Sequence, residues 1–327
     1  MLTTFGESHG PAVGGVLDGF PARIKIDPEF IQSEINRRNP ANYPFSTPRK
    51  EKDEIEILSG LLDNMSTGAP IAFLIRNTDH RTSDYEHLKN LYRPSHADFT
   101  WEQKFGIRDH RGGGRASARA TVAWVAAGAF AKTLLAQHGI TVKGFVSQIG
   151  PYQTPDGELS LQVIEYLEKL KTAGDTAGGV VTTTITGVPA GLGEPVFDKL
   201  HADLAKAVLS IPAVKGFETG SGFAAAAMTG SQHNDVFLKE KDGIHTKTNN
   251  SGGIQGGISN GMPIIFRTAF KPVSTLAMQQ TTVDREGHEI TFEGKGRHDV
   301  CVVPRAVVIV EAMAALVVSD HYIRAFH

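Results

Sequence analysis

Gly6–Ala22 reads GESHGPAVGGVLDGFPA, and Gly174–Ala190 reads GDTAGGVVTTTITGVPA. Set side by side without gaps, they share Gly6 with Gly174, Gly10 with Gly178, Val13 with Val181, Gly19 with Gly187, Pro21 with Pro189 and Ala22 with Ala190. Glu7 meets Asp175, Ser8 meets Thr176 and Leu17 meets Ile185, so charge, hydroxyl and apolar character are kept. A proline-started helix pattern follows each copy. The first has Asp27 as N-cap, Pro28 at the first position, Phe30, Ile31 and Ile35 on one face, and Arg37 and Arg38 at its end. The second has Pro195, then Phe197, Leu200, Leu204 and Val208 on one face. Each half also closes on a glycine-arginine loop ahead of a long apolar helix pattern. The reading is an internal duplication: a single domain of two similar halves, about 1–145 and 174–327, around a pseudo-two-fold axis. His9 is replaced by Ala177 in the second copy, so if there is one active site, His9 belongs to it.

The loop that ends the first half lies within Arg93–Arg119, RPSHADFTWEQKFGIRDHRGGGRASAR. Its polar character stops at Arg119, and Val122, Val125, Ala126, Ala129, Phe130 and Leu134 then recur at helical spacing toward Gly139. A glycine-rich loop that feeds a helix offers free backbone N–H groups and a positive helix end, which attract anions. Arginines beside it add bidentate grips on phosphate or carboxylate. A solvated basic loop is the plainer alternative. No Gly-Lys-Ser/Thr follows and no apolar strand precedes, so this is neither a Walker loop nor a dinucleotide fingerprint.

A chain of 327 residues, 40% hydrophobic and 21% charged, can build a substantial core. Its formal net charge of −2 speaks against a nucleic-acid binder and for local basic groups serving a small anion. Cys301 is the only cysteine, which excludes an intrachain disulfide framework and fits a reducing compartment. Its neighbours Val300, Val302 and Val303 make it a buried filler rather than a nucleophile. No unbroken apolar run of about 18 residues is seen. No signal sequence opens the chain. The expectation is a cytoplasmic protein that needs neither membrane nor nucleic acid.

Strands are expected up to Asp18, over Glu54–Leu58, over Ile71–Ile75 and over Met262–Arg267. Ser251–Gly261, SGGIQGGISNG, is too glycine-dense for a helix or strand interior, yet carries Ile254 and Ile258, unlike a flexible linker. It reads as a folded loop against a ligand. The chemically able residues are His9, His96, His110, His298 and Asp299, with Arg38, Arg49, Arg111, Arg115, Arg119 and Arg297. Histidine exchanges protons near neutral pH and arginine holds phosphate. His80, His87, His96 and His110 form no compact metal-ligand pair, so no metal is expected. The residues by themselves point to an enzyme acting on a small phosphorylated anion, with the reaction type open.

In these segments the chain resembles the chorismate synthase family. The matching motifs are TTFGESHG (Thr3–Gly10), RPSHAD (Arg93–Asp98), QKFGIRDHRGGGR ending at Arg115, SGGIQGGISNG (Ser251–Gly261), FKPVST (Phe270–Thr275) and GRHD (Gly296–Asp299), in the family's order over nearly the whole length. The resemblance implies an α+β fold, a β-α-β sandwich with helices between two antiparallel sheets, assembled as a homotetramer. It implies a lyase that removes phosphate and a ring proton from 5-enolpyruvylshikimate 3-phosphate by 1,4-anti-elimination, giving chorismate. Reduced FMN is the cofactor, with NADPH a candidate reductant and a separate flavin reductase a candidate partner.

By resemblance, His9 protonates the departing phosphate, and Ser8 and Ser117 order its network. His96 protonates or stabilises the reduced flavin, and Asp299 acts with flavin N5 on the ring proton. Arg115, Ala116, Ser117, Gly253, Gly256, Gly257, Lys271, Pro272, Val273, Ser274, Thr275 and Arg297 line FMN. Arg38, Arg49, Arg115, Arg119 and Arg297 hold the substrate. The chain departs from the usual family pattern at Pro44, where many members have arginine, at Ala116, Ala120 and Val300, in a short start at Met1-Leu2, and in a short stretch between Val146 and Gly174.

Overall fold

The computed structural model describes residues 1–43, 45–46, 52–78, 86–155, 157–241, 243–294 and 299–326. Strands β1 (Leu2–Gly6) and β2 (Ala12–Leu17) lead to helix α1 (Pro28–Arg37). Then come β3 (Ile55–Ile57), the short pair β4 (Leu61–Leu62) and β5 (Met65–Ser66), and β6 (Ile71–Arg76). Helix α2 (Asp98–Phe105) precedes α3 (Thr121–Gln137). The second half runs β7 (Thr141–Ile149), β8 (Tyr152–Gln153), α4 (Leu161–Ala173), β9 (Gly179–Thr186), α5 (Leu200–Leu209), β10 (Val214–Thr219) and α6 (Gly230–His233). Hairpins β11 (Phe237–Glu240)–β12 (Gly243–Thr246) and β13 (Ile254–Gln255)–β14 (Ile258–Ser259) lead to β15 (Ile264–Phe270). Hairpin β16 (Gln279–Val283)–β17 (Glu289–Glu293) and helix α7 (Val303–Phe326) close the chain.

The two large sheets have the orders β1-β2-β6-β3 and β10-β15-β9-β7-β8, and all their pairings are antiparallel. The first four strands correspond in order to β7-β9-β15-β10. Their registers correspond as well: Leu17 pairs with Leu2 and Ile71, while Ile185 pairs with Val142 and Ile264. Helix α3 packs on β2, α7 packs on β7 and β9, and α3 and α7 pack on each other. One apolar core runs through these layers, from Val13 and Phe73 through Phe130 and Val310 to Val181 and Phe266. A helix enclosed on nearly all sides is apolar nearly all round, which is why α3 and α7 lack a clear polar face.

Local chemistry accounts for most boundaries. Asp27 Oδ1 accepts the Glu29 N–H at 3.0 Å, and Pro28 opens α1 as expected. Helix α5 starts at Leu200 rather than Pro195. The Glu194 N–H closes onto the Asp198 carbonyl at 3.2 Å, and Asp198 sits at φ +55, which a helix cannot include. Leu200, Leu204 and Val208 are buried as expected, but Phe197 is exposed. Helix α7 is long and apolar enough to cross a membrane by length and composition, although it holds no unbroken apolar run of about 18 residues. Glu311 interrupts its apolar run, and most of the helix is buried in the core.

Helices α3 and α7 run parallel. Gly128 meets Ala312, the Ser319 hydroxyl donates to the Ala131 carbonyl at 3.4 Å, and the His138 ring lies 4.4 Å from that of Tyr322. Both helices therefore start at the same end of the molecule. A Cβ on Gly128 would stand 2.3 Å from the Ala312 Cβ, so the two axes cannot tolerate even one methyl group there. Gly128→Ala should lower the urea midpoint by a loss of about 1–3 kcal/mol, the usual cost of overpacking.

A buried ion cluster crosses the same layers. Glu311 of α7 accepts from Arg37 of α1 at 2.6 and 3.0 Å, from Lys132 of α3 at 2.6 Å, and from the Gly144 N–H of β7 at 2.8 Å. Glu34 joins it through Arg37 at 2.8 Å and through Lys132.

Candidate active site

The end at which α3 and α7 begin gathers most of the expected residues. Glu7 to Gly10 form a turn between β1 and β2, closed by the Gly10 N–H on the Glu7 carbonyl at 3.1 Å. His9, buried, stands at its apex. Ser8 Oγ lies 3.1 Å from His9 Nδ1 and donates to the Gly112 carbonyl at 3.2 Å, with Arg111 O at 3.4 Å. A hydroxyl has one hydrogen, so when that hydrogen goes to the main chain, Ser8 accepts from His9 Nδ1–H. Nε2 is then the nitrogen through which His9 exchanges a proton. The glycine run is shaped by this contact: Gly112 lies at φ +64, and a Cβ there would fall 2.1 Å from His9 Cε1. Glu7 lies beside Gly114, and burial pushes its carboxyl up, opposed first by Arg115.

His96 reaches the same region on a separate loop. Its Nδ1 faces the Pro94 carbonyl at 2.9 Å and its Nε2 faces Thr275 Oγ1 at 3.2 Å. A carbonyl only accepts, so Nδ1 holds the proton of the neutral ring. Burial, then the Arg93 charge, pushes the imidazole below its ordinary value. The loop is clamped by Arg93, which grips Asp98 through Nε and Nη2, each at 2.8 Å. Asp98 is buried; burial alone would raise its carboxyl, but the Arg93 bonds hold it below the usual range. Hairpin β16–β17 covers this segment: Leu88, Leu91 and Phe292 form a small apolar cluster, and Thr282 bonds the Tyr92 carbonyl.

Lys271–Thr275 leaves the end of β15 and meets the His96 loop, with Ser274 Oγ donating to the Ser95 carbonyl at 3.1 Å. Lys271 bonds Ser274, and its ammonium is pushed down by burial and then by Lys215. The Thr176 hydroxyl donates to Val273 O at 2.8 Å, and the next residue, Ala177, donates to Val300 O at 2.9 Å. Asp299 therefore belongs to the same end, where Arg305 Nη1 lies 3.2 Å from both of its carboxylate oxygens. Cys301 is buried and its thiol is pushed up to about 11 by burial, as fits a filler.

The arginines are bound to the protein itself. Arg38 is buried, with Nε donating to Thr121 Oγ1 and Nη2 to the Ala118 carbonyl, both at 2.9 Å. Arg119 Nη1 donates to Asp53 at 2.6 Å and its Nε to Asn77 Oδ1 at 2.9 Å. Arg115 donates to Gly6 O at 3.1 Å and Thr4 Oγ1 at 2.7 Å. Ser117 Oγ accepts the Arg119 N–H at 3.3 Å and so caps the short turn before α3, next to Ala116. Arg111 pairs with Asp109 at 2.8 Å. Arg49, Arg297, His80, His298 and the departure at Pro44 lie outside the described residues.

Gly253, Gly256 and Gly257 are not brought to Lys271–Thr275 within this chain. They form the hairpin β13–β14, where Gly256 and Gly257 take the turn at φ +63 and +95. Gly253 abuts Pro263 and Ile264 at the start of β15, whereas Lys271 follows its end. Seven residues of strand put roughly 20 Å between them. Asp235 organises the preceding turn: burial opposes its charge, but bonds from Thr248, Ser251 and Asn250 pull its carboxyl down to about 2. A cavity of about 580 Å³ also lies elsewhere, lined by Leu2, Trp124, Asp203, Met313 and His321 among others.

Of the histidines weighed as metal ligands, His80 lies outside the described residues, and His87, His96 and His110 belong to no group with ion-holding spacing among the described residues. His96 is engaged as above, and His110 Nε2 lies 3.6 Å from Glu86. Among the described residues, Asp284, Glu286 and His288 have the spacing to hold an ion, on the turn of β16–β17. Residues that the sequence reading missed are Asp53, Asn77, Arg93, Asp98, Thr121 and Arg305. Arg93 and Asp98 frame the motif around His96 and were legible there; the others are joined only by folding.

A family model described as Chorismate synthase matches residues 1–323. Chorismate synthase of Cytophaga hutchinsonii is 54% identical over 343 residues, covering 99% of this chain and 95% of that protein. Chorismate synthase of Phocaeicola vulgatus is 53% identical over 341 residues, covering 98% and 95%. A solved structure described as "Crystal Structure of Chorismate Synthase" is similar with a TM-score of 0.79 at 31% identity, covering 99% of this chain and 92% of that one.

Proposed function

The chain belongs to the chorismate synthase family, chorismate-forming lyases of the shikimate pathway, and from that premise we propose the reaction and the residues that perform it. The reaction is a 1,4-anti-elimination from 5-enolpyruvylshikimate 3-phosphate. A ring C–H bond and the C–O bond to phosphate break, a second ring double bond forms, and chorismate and inorganic phosphate leave. The observation that carries this reading is the convergence of the His9 turn, the His96 loop, Lys271–Thr275 and Asp299 at the shared start of α3 and α7.

His9 donates the proton from Nε2 to the departing phosphate, while Ser8 holds the other ring nitrogen. Asp299 is the carboxylate assigned to the ring proton, and Arg305 keeps it oriented. The helix starts and Arg38, Arg115 and Arg119 make the end cationic, which favours a phosphate and its departing charge. Arg49 and Arg297 are carried as further substrate arginines on the resemblance alone.

Reduced FMN fits the donor set on this end: Lys271, the hydroxyls of Ser274 and Thr275, and the His96 imidazole are cationic or hydrogen-bonding groups suited to an anionic flavin. When bound it supplies an electron-rich isoalloxazine that the reaction requires and does not consume. Pro272, Val273, Arg115, Ala116 and Ser117 are its further lining residues in this reading. Gly256 faces open space beyond its backbone, and in the proposed homotetramer a second copy would present Gly253, Gly256 and Gly257. The two corresponding sheets, with helices between them, support the reading of a sandwich built from duplicated halves in a single domain. The reductant is read as external, from a separate flavin reductase; flavin reduction by NADPH with purified protein alone would reverse that. The chain is placed in the cytoplasm.

The test is an anaerobic assay with purified protein, chemically reduced FMN and 5-enolpyruvylshikimate 3-phosphate. Equimolar phosphate and chorismate are expected, and a folded, FMN-binding protein that releases neither refutes the reading.

A further inference from the structure

The turn that carries His9 is held from behind by Asn77, the buried residue after β6. The two hydrogens of its Nδ2 go to Glu7 O at 3.0 Å and Gly10 O at 2.8 Å, the two ends of the turn. Its backbone N–H donates to Pro11 O at 3.1 Å. Its Oδ1 accepts Arg119 Nε at 2.9 Å, which fixes the amide in the orientation that faces both carbonyls. Arg119 is in turn held by Asp53 at 2.6 Å, and Asp53 lies 3.6 Å from Arg38. Opposite, Ser8 ties the turn to Gly112. His9 is thus braced on both sides, and one brace is a relay of buried polar groups that reaches back to Arg38.

We propose that Asn77 is a positioning residue for His9: with Arg119 and Asp53 it sets the height of the Glu7–Gly10 turn and so the place of the imidazole Nε2. The proposal rests on the role given to His9 above. Asn77 touches no reacting atom in this scheme. Misplacing a reacting group by about 1 Å can cost about 100-fold in rate. That is the scale expected when both donors are lost.

Asn77→Asp keeps the shape and the Arg119 contact but replaces the donors with a carboxylate oxygen facing two carbonyls. Asn77→Ser removes the bridge without adding charge, and serves if the first variant does not fold. The expected result is a fall in kcat of about 100-fold with a much smaller rise in KM for the substrate, the latter from the altered Asn77–Arg119 contact. In parallel, the rate at which diethyl pyrocarbonate modifies His9, read by peptide mass spectrometry against the exposed His87, should rise about tenfold or more, corresponding to about 1.4 kcal/mol of lost protection. Wild-type turnover in a folded variant, or lost turnover with His9 as protected as in the wild type, overturns the proposal. The modification rate needs no turnover, so it still decides the matter if the lyase reading itself fails.

Discussion

His9→Ala is expected to lower kcat by about 10²–10⁴-fold, the usual contribution of a general acid, while the affinity for reduced FMN stays close to that of the wild type. Phosphate is a poor leaving group until its charge is met by a proton or a cation. Where the Ser8 hydroxyl passes its own hydrogen to the main chain, it binds His9 Nδ1 and so assigns proton exchange to Nε2. Most of the groups assigned to flavin lie on other loops, around His96 and Lys271–Thr275, and Arg115 and Ser117 are held by bonds that do not involve the His9 ring. Losing the imidazole therefore leaves them in place. Phosphate release under anaerobic conditions, set beside FMN binding by equilibrium dialysis, separates the two effects. An equal loss of both would contradict the assignment.

Glu311→Ala should destabilise the fold by about 1.5–3 kcal/mol, because Arg37 and Lys132 lose one of their two carboxylate partners at the junction of α1, α3 and α7 and keep only Glu34. The urea midpoint reads the loss. Glu311→Leu should recover little of it, since the cations remain. The same cluster sets an acid limit. Burial alone would raise the Glu311 carboxyl, but Arg37 and Lys132 outweigh it and hold the group below the ordinary carboxylate value. A depressed folded value means that the contribution is fully present above the unfolded value, about 4.3 for glutamate, and fades as pH falls through the folded one. Wild-type stability should therefore drop more steeply than that of Glu311→Ala between about pH 4.3 and the depressed value.

Much of the fold was legible because it follows local rules. Asp27-Pro28 fixed one helix start, and the apolar run Ile71–Ile75 marked the strand that spans Ile71–Arg76. The gapless match of Gly6–Ala22 with Gly174–Ala190 anticipated registers in which Leu17 and Ile185 hold equivalent places. The misses have physical causes. Phe197 looked like the first turn of a helix, but the left-handed Asp198 postpones α5. Helix α2 was hidden because Asp98–Phe105 is short and mixed in polarity. At the candidate site, histidines in glycine-rich turns stood out, whereas Asn77, Asp53 and Arg305 carry no local signal. Each matters through a partner far away in sequence. The glycines at 253, 256 and 257 were recognised as a folded loop, but no pattern in the sequence tells at which end of β15 such a loop will stand.

The parallel course of α3 and α7 carries a thermodynamic cost. Side-by-side helices pointing the same way set like dipole ends against each other, and here the two positive ends crowd together with several guanidiniums. Asp53, Asp98 and Asp299, paired with Arg119, Arg93 and Arg305, offset part of that strain. A dianionic ligand seated at that end relieves the strain, so its binding energy and the cohesion of the central layer become one quantity. Occupancy at 100 times Kd would add about 2.7 kcal/mol to the stability of the whole.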